Sequence, residues 1–332
     1  MPIDLTKSRH ALAFIVFVVL LDAISFGIVL PVMPKLIMSL ADVSLSEASK
    51  IGGFLMFTYA SVQFFAAPIL GNLGDRFGRR PILLYTLAAL GADYLLMAAA
   101  PTIAWLFAAR IIAGVASSSF SLAYAYVTDI TPKENRAQRF GMIGAAFGGG
   151  FVLGPVIGGL LGEFGPRIPF YAAACLALVN LVYGYFMLGE SLSKENRREF
   201  DIRRANPIGA VLQLKKYPVI LGLAFAYFLY MIGHLSLPST WTYYTIEKFS
   251  WSESQIGLSL GFAGIFMIIV QAGLIRWAIP AFGAYRAGIF GMVAMIIGFC
   301  GYAFSAQGWQ MYPWLAVAAL SGFVSPAFQA IM

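Results

Sequence analysis

The sequence predicts an all-helical, polytopic membrane protein with about ten transmembrane helices, and three observations carry that prediction. First, 60% of the 332 residues are hydrophobic and only 11% charged, with a mean hydropathy of +0.80. Soluble domains carry about 25% charged residues. Second, 28 Phe, 16 Tyr and 6 Trp make the chain far too aromatic for a disordered scaffold. Third, apolar runs of about 20 residues, the length that crosses a bilayer core, recur along the whole chain. A soluble enzyme and a disordered segment are both excluded.

The first run, 11–33, follows Lys7 and Arg9 as a signal peptide would. It is long, contains Asp22 and lacks a small-residue cleavage site, so it reads as a retained first helix. Five more runs follow at 51–71, 82–100, 103–127, 140–161 and 169–189. The longest polar stretch comes next and reads as a linker over 190–217, rich in Lys, Arg and Glu. Runs seven to ten cover 218–240, 255–277, 286–305 and 313–332. The chain therefore divides into an amino-terminal six-helix half, 1–189, the linker, and a carboxy-terminal part, 218–332. Phe77-Gly78 recurs as Phe282-Gly283, and Ile112-Ala113-Gly114 as Leu320-Ser321-Gly322, at the similar offsets of 205 and 208 residues. Duplicated halves explain that echo. A six-helix duplication predicts twelve helices, so the second half is expected to be partial, either a piece of a longer chain or a shortened gene product.

A net charge of +7 raises the question of nucleic acid, and its distribution answers it. With the amino terminus in the cytoplasm, 17 of the 22 basic residues fall in inside loops: Lys7, Arg9, Arg76, Arg79, Arg80, Lys133, Arg136, Arg139, seven in the linker region (Lys194, Arg197, Arg198, Arg203, Arg204, Lys215, Lys216), Arg276 and Arg286. Lys35, Lys50, Arg167 and Lys248 fall outside. The excess is a topology signal, not a nucleic-acid footprint. Cys175 and Cys300 stand singly in apolar runs without metal-ligand neighbours, so no metal site is expected. No Gly-Lys pair exists to build a phosphate loop, so the chain does not hydrolyse ATP itself.

A carboxylate near a bilayer midplane costs about 2.5–3.5 kcal/mol on insertion scales and needs a reason. Asp22 and Asp93 are the two clear cases. One reading is a structural carboxylate bonded to a neighbouring helix; the other is proton or cation coupling, in which the group trades its charge for a bound proton. Arg110, within the fourth run, either snorkels outwards or pairs with an acid and competes with a proton for it. His234 is the only histidine in a membrane run. It reads either as a packed residue or as a further titrating group. Tyr59, Phe64, Tyr227, Tyr230, Trp241 and Tyr244 are candidates to line a cavity for a flat molecule, against the alternative of helix packing.

Between runs two and three stands Gly71-Asn72-Leu73-Gly74-Asp75-Arg76-Phe77-Gly78-Arg79-Arg80-Pro81. It resembles the loop motif of the major facilitator superfamily, G-x-L-x-D-R-x-G-R-R. Its glycines permit a tight turn, Asp75 is suited to cap a helix amino terminus, and Arg79 to pair with Asp129. Contacts that form in one conformation and break in another make a latch of Gly71, Asp75, Arg76, Gly78, Arg79, Arg80 and Asp129. Arg110-Ile111-Ile112-Ala113-Gly114 is similar to the superfamily's fourth-helix motif. Gly150 to Gly159 matches G-x-x-x-G-P-x-x-G-G, a motif of proton-antiporting exporters, with Gly150, Gly154, Pro155, Gly158 and Gly159 in place. Glycines at 150, 154 and 158 share one helix face, so a neighbouring backbone can come close, and Pro155 is expected to bend the helix.

Leu21 to Pro34 resembles the first-helix pattern of twelve-helix drug:proton antiporters, and among them the likeness is closest to the tetracycline exporters. Gly91-Ala92-Asp93-Tyr94, Ala125 to Thr131 and Pro326 to Ala330 carry it, from about residue 10 to the end. The resemblance implies a major facilitator fold. It also implies export of a tetracycline-like, amphipathic drug, often as a divalent-metal chelate, in exchange for protons across the bacterial inner membrane. No cofactor beyond the proton gradient is implied, and the partners are drug, protons and lipid. It places Asp22, Gln63, Asp93, Arg110 and Gln271 around a central cavity. Those exporters carry a histidine in the eighth helix and an acidic residue in the ninth, where this sequence has Met267 and Met295. A solute importer and an inactive shortened transporter are the alternative readings. A membrane sensor lacks an output module here, and an intramembrane enzyme lacks any catalytic constellation.

Overall fold

The computed structural model describes residues 5–116, 119–132, 135–201 and 218–331. Linker residues 202–217, with Arg203, Arg204, Lys215 and Lys216, lie outside the described residues, as do Lys133 and the side chains of Lys7 and Arg9. The described residues are helical throughout, without a strand, and ten segments are long and apolar enough to cross a membrane.

In chain order the helices are α1 (Leu5–Val29), a short α2 (Met33–Ala41), α3 (Leu45–Phe77), α4 (Arg79–Ala99), α5 (Ile103–Ala116), α6 (Ser119–Ile130), α7 (Arg136–Gly162) and α8 (Ile168–Met187). The second half holds α9 (Pro218–Phe249) and α10 (Glu253–Ile268), the latter continued by a π-helical turn at Ile269–Leu274 into α11 (Ile275–Phe282). It ends with α12 (Ala284–Phe304), α13 (Met311–Ala319), a 3-10 turn at Leu320–Phe323, and α14 (Val324–Ile331). α5 with α6 makes the fourth span, and α13 with α14 the tenth.

Several helices outrun the apolar stretches that announce them. α3 was expected over 51–71 and runs for 33 residues. Its start is set by a capping box, in which Ser44 accepts from the Glu47 backbone N–H and the Glu47 side chain accepts from the Ser44 N–H. At its other end Asp75 and Arg76 remain inside the last turn, and only Gly78, at φ 106°, separates α3 from α4. Asp75 therefore caps no helix amino terminus, contrary to the sequence expectation; Gly78 occupies that position without a side-chain bond. α9 runs on to Phe249 through polar residues whose hydroxyls are satisfied on their own helix: Thr240 Oγ1 donates to the Ser236 carbonyl at 2.7 Å and Thr245 Oγ1 to that of Trp241 at 2.9 Å.

In the first half α1 packs against α7 on one flank and α8 on the other, while α4 bridges α8 and α5. The halves meet where α7 packs on α10 and α3 on α9. α1 thus lies beside the inter-half junction, which places Asp22 near the middle of the molecule.

Candidate functional site

The two lone charges of α4 and α5 find each other. Arg110 Nη2 donates to Asp93 Oδ2 at 2.6 Å and to Oδ1 at 2.9 Å, with Asp93 1% and Arg110 6% exposed. The same nitrogen lies 2.7 Å from Met97 Sδ. Burying either charge alone would be prohibitive, so each holds the other in place. Arg110 Nε has no hydrogen-bond partner. Its guanidinium also lies over the Tyr59 ring, 5.9 Å from the centroid.

Asp22 on α1 is half-buried and accepts from Asn180 Nδ2 of α8 at 3.3 Å. Tyr94, next to Asp93 and almost wholly buried, lies within electrostatic reach of Asp22, Asp93, Arg110 and Tyr59. The structure therefore gathers Asp22, Tyr59, Asp93, Tyr94 and Arg110 inside the first half. Gln63 follows Tyr59 by one helical turn on α3 and is half-buried.

A cavity between the halves reaches this cluster. Its walls include Phe26, Tyr94 and Arg110 from the first half, and Ser239, Thr242 and Tyr243 from α9. Among the predicted site residues Arg110 alone lines it. Tyr243, half-buried with its hydroxyl packed against Gly52 and unpartnered, was missed by sequence reasoning; the only signal was a polar Thr-Tyr-Tyr-Thr run at what looked like a span's end.

The second-half candidates are placed differently. Tyr230 is buried, donates to the Ser321 carbonyl at 3.2 Å and stacks on His234, ring centroids 5.4 Å apart. Tyr227 also stacks on Tyr230, ring centroids 5.9 Å apart. Gln271 lies in the π-helical turn and is exposed. Trp241 is packed, its indole N–H bonded to Ser259 Oγ at 2.9 Å, and the Tyr244 hydroxyl is committed to the Tyr302 carbonyl at 2.7 Å. Both serve helix packing.

Along α7, from its middle towards one end of the bundle, glycines join the elements. Cβ atoms added at Gly150 and Gly154 would strike α1 at 2.6 Å, on the Leu20 and Ile24 carbonyl oxygens, and one at Gly158 would strike the Ile28 backbone. Gly159, one residue round, abuts the Glu253 backbone and Gly257 of α10 in the other half. Lys35 of α2 pairs there with the buried carboxylate of Glu253, and Thr242 donates to the Leu30 carbonyl at 3.3 Å.

At the opposite end Arg79 bonds Asp75 at 2.6 Å and Asp129 at 3.4 Å, as the sequence predicted for the second partner. Sequence reasoning missed Glu190, whose carboxylate accepts from the Arg79 backbone N–H at 2.8 Å, and Ser191, which donates to Asp129 at 2.9 Å. The linker lies over the motif: the Arg198 N–H donates to the Asp75 carbonyl at 3.0 Å, and Asn72 Nδ2 to that of Asp201 at 2.7 Å. Arg80 reaches the Tyr185 carbonyl at 2.7 Å, Arg76 lies over the Phe77 ring, and Gly71 stands in open space within α3. All these bonds stay within the first half and its linker. Among the described residues no group of three or more metal-ligating side chains occurs.

Comparison with known proteins follows the same lines. The model of the Major Facilitator Superfamily matches residues 14–332. The class C tetracycline resistance protein of Escherichia coli is 39% identical over 326 residues, covering 98% of this chain and 82% of its own length. The class G tetracycline resistance protein of Vibrio anguillarum is 34% identical over 326 residues, 98% of this chain and 82% of that protein. Among solved structures the human organic anion transporter MFSD10 superposes with a TM-score of 0.74 at 22% identity, over 98% of this chain and 85% of that one.

Proposed function

The chain belongs to the Major Facilitator Superfamily, a family of transporters rather than enzymes, and from that premise we propose that it exports a tetracycline-like drug in exchange for protons. The observation that carries this reading is the buried Arg110–Asp93 pair beside a cavity shared by both halves. Arg110 holds Asp93 through one nitrogen and keeps Nε unpartnered. With Asp93 ionised the pair is neutral, and the guanidinium's outer face can donate to an oxygen-rich drug that arrives as a positively charged metal chelate. A proton arriving on Asp93 leaves the positive charge of Arg110 uncompensated at the cavity wall and repels that chelate, so drug and proton exclude one another. The relatives named for tetracycline resistance support this substrate class, and the divalent-metal chelate is the form proposed for it.

The remaining steps follow the two ends of the bundle. With the amino terminus cytoplasmic in a bacterial inner membrane, the Gly159–Glu253 seam faces outwards and the Asp75 network inwards. The geometry then corresponds to an outward-closed state that loads drug from the cytoplasm or inner leaflet. Protonation of Asp22 or Asp93 opens the seam and releases the drug; proton discharge to the cytoplasm resets it. In cells loaded with tetracycline, expression is expected to lower accumulation in an uncoupler-sensitive manner. Asp93→Asn and Asp22→Asn are each expected to abolish that efflux at unchanged membrane levels. Transport with unaltered pH dependence in both variants would remove the carboxylates from the mechanism.

A further inference from the structure

One buried polar group in the first half has no part in the mechanism above. Asn180 is 0% exposed, in the apolar stretch Ala177-Leu178-Val179-Asn180-Leu181-Val182 of α8. Its amide nitrogen lies 3.2 Å from the Val18 carbonyl oxygen and 3.3 Å from Asp22 Oδ1. Residues 18 and 22 are one turn apart on α1, so a single NH2 group with two hydrogens spans both acceptors. The amide's orientation is thereby fixed: turned over, its oxygen would face a carbonyl and a carboxylate. Its Oδ1 has no partner. A buried amide with one unsatisfied end is costly, and leucine has nearly the same shape, so packing alone does not account for asparagine at this position.

Resting on the reading of Asp22 as a coupling carboxylate, we propose that Asn180 is its positioning residue, tying α8 to α1 through a hydrogen bond whose strength depends on whether Asp22 carries a proton. A bond to a carboxylate is about twice as strong as one between neutral groups. With Asp22 ionised, α8 grips α1 at Val18 and Asp22 together; with Asp22 protonated, the Val18 bond remains and the other weakens. The remaining titratable groups around Asp22 come from α4, α5 and α3, where Tyr94 is backed by Asp93, Arg110 and Tyr59. α6 also packs on α1, but its Tyr126 faces Glu190, Asp129 and Arg80 rather than Asp22, with its hydroxyl donating to the Gly189 carbonyl at 3.0 Å. α7 meets this part of α1 with Gly150 and Gly154.

The test is proton-driven tetracycline transport by the reconstituted protein, measured across the neutral pH range. Asn180→Leu is expected to displace the midpoint of the pH–rate profile by about one unit, with the drug KM within about twofold of the parent. Asn180→Gln, which keeps the amide, is expected to restore the parent profile largely, whereas Asn180→Met, of nearly the same shape, is not. That pair decides the matter if the leucine variant fails to fold. Equal behaviour of the Gln and Met variants, or a parent profile in Asn180→Leu, overturns the positioning role. If Asp22→Asn itself keeps the parent pH dependence, the coupling assignment fails first and takes this proposal with it.

Discussion

The two ends of the bundle are held together by opposite kinds of chemistry. At the Gly159 end, backbone meets backbone across the halves, with Gly159 against Glu253 and Gly257. At the Asp75 end, charged side chains bind one another and the linker inside a single half. A glycine seam depends on shape: it is tight when the helices are in register and contributes almost nothing once they part, because dispersion falls off steeply with separation. A charge network is more tolerant, since its partners can exchange for water or for one another. In the cycle proposed above, the conformational switch falls to the seam, and the network has the task of holding the first half and its linker together while it moves.

The largest effect is therefore expected at the seam. A side chain at Gly159 has nowhere to go except into the backbone of α10, and overpacking of that kind costs about 1–3 kcal/mol. That corresponds to roughly 5- to 150-fold in the equilibrium between closed and open seam. Gly159→Val is expected to lower transport to that extent. It is also expected to speed labelling of Thr242→Cys by a membrane-impermeant maleimide, because Thr242 bridges to Leu30 beside the seam. Gly144 lies on the same helix with nothing within 4 Å of an added Cβ. Gly144→Val is the matched control and is expected to transport normally; equal loss in both variants would reduce the seam to a general intolerance of α7.

An intermediate effect is expected at the other end. Arg79→Ala removes the short bond to Asp75 and the longer one to Asp129, while Ser191 stays on Asp129 and Glu190 on the backbone. One charge-assisted bond is worth about 1.5 kcal/mol, or roughly tenfold in rate if it is lost at the limiting step. Labelling of Thr242→Cys is expected to stay slow, because the network does not cross to the other half. Fast labelling in Arg79→Ala would show that the two ends are mechanically one.

The same contrast governs what was legible in the sequence. Apolar runs gave the ten spans because bilayer thickness sets their length, but they gave poor ends where polar residues continue a helix, as at Asn72 to Phe77 of α3 and Thr240 to Phe249 of α9. That Arg110 needs an acidic partner was legible, since a charge is too costly to bury alone, but the choice of Asp93 over Asp22 was not. Asn180 could not: an uncharged amide in an apolar run sets no such demand, and its partners on α1 lie more than 150 residues away. Glu190 and Ser191 were hidden in a linker whose charges read as topology. The glycines of α7 announced close packing, but the neighbouring backbones differ by one residue, α1 for Gly158 and α10 for Gly159, and only the helix rotation in the fold decides between them.

The smallest effect is expected from the one ion pair that crosses the seam among the described residues. Lys35 is more than half exposed at 56%, whereas its partner Glu253 is 3% exposed. An ammonium in contact with water gains little from pairing, and exposed pairs are worth about 0–1 kcal/mol. Glu253 also stands in the first turn of α10, behind the Ser252–Gln255 capping box, where the helix dipole favours a negative charge without help from Lys35. Lys35→Ala is therefore expected to weaken transport by no more than about fivefold, and added salt is expected to mimic it, since screening acts on the exposed member. Salt should have little further effect in Lys35→Ala itself. A loss in Lys35→Ala as deep as in Gly159→Val would reverse the comparison, making charge rather than backbone fit the force that closes this end.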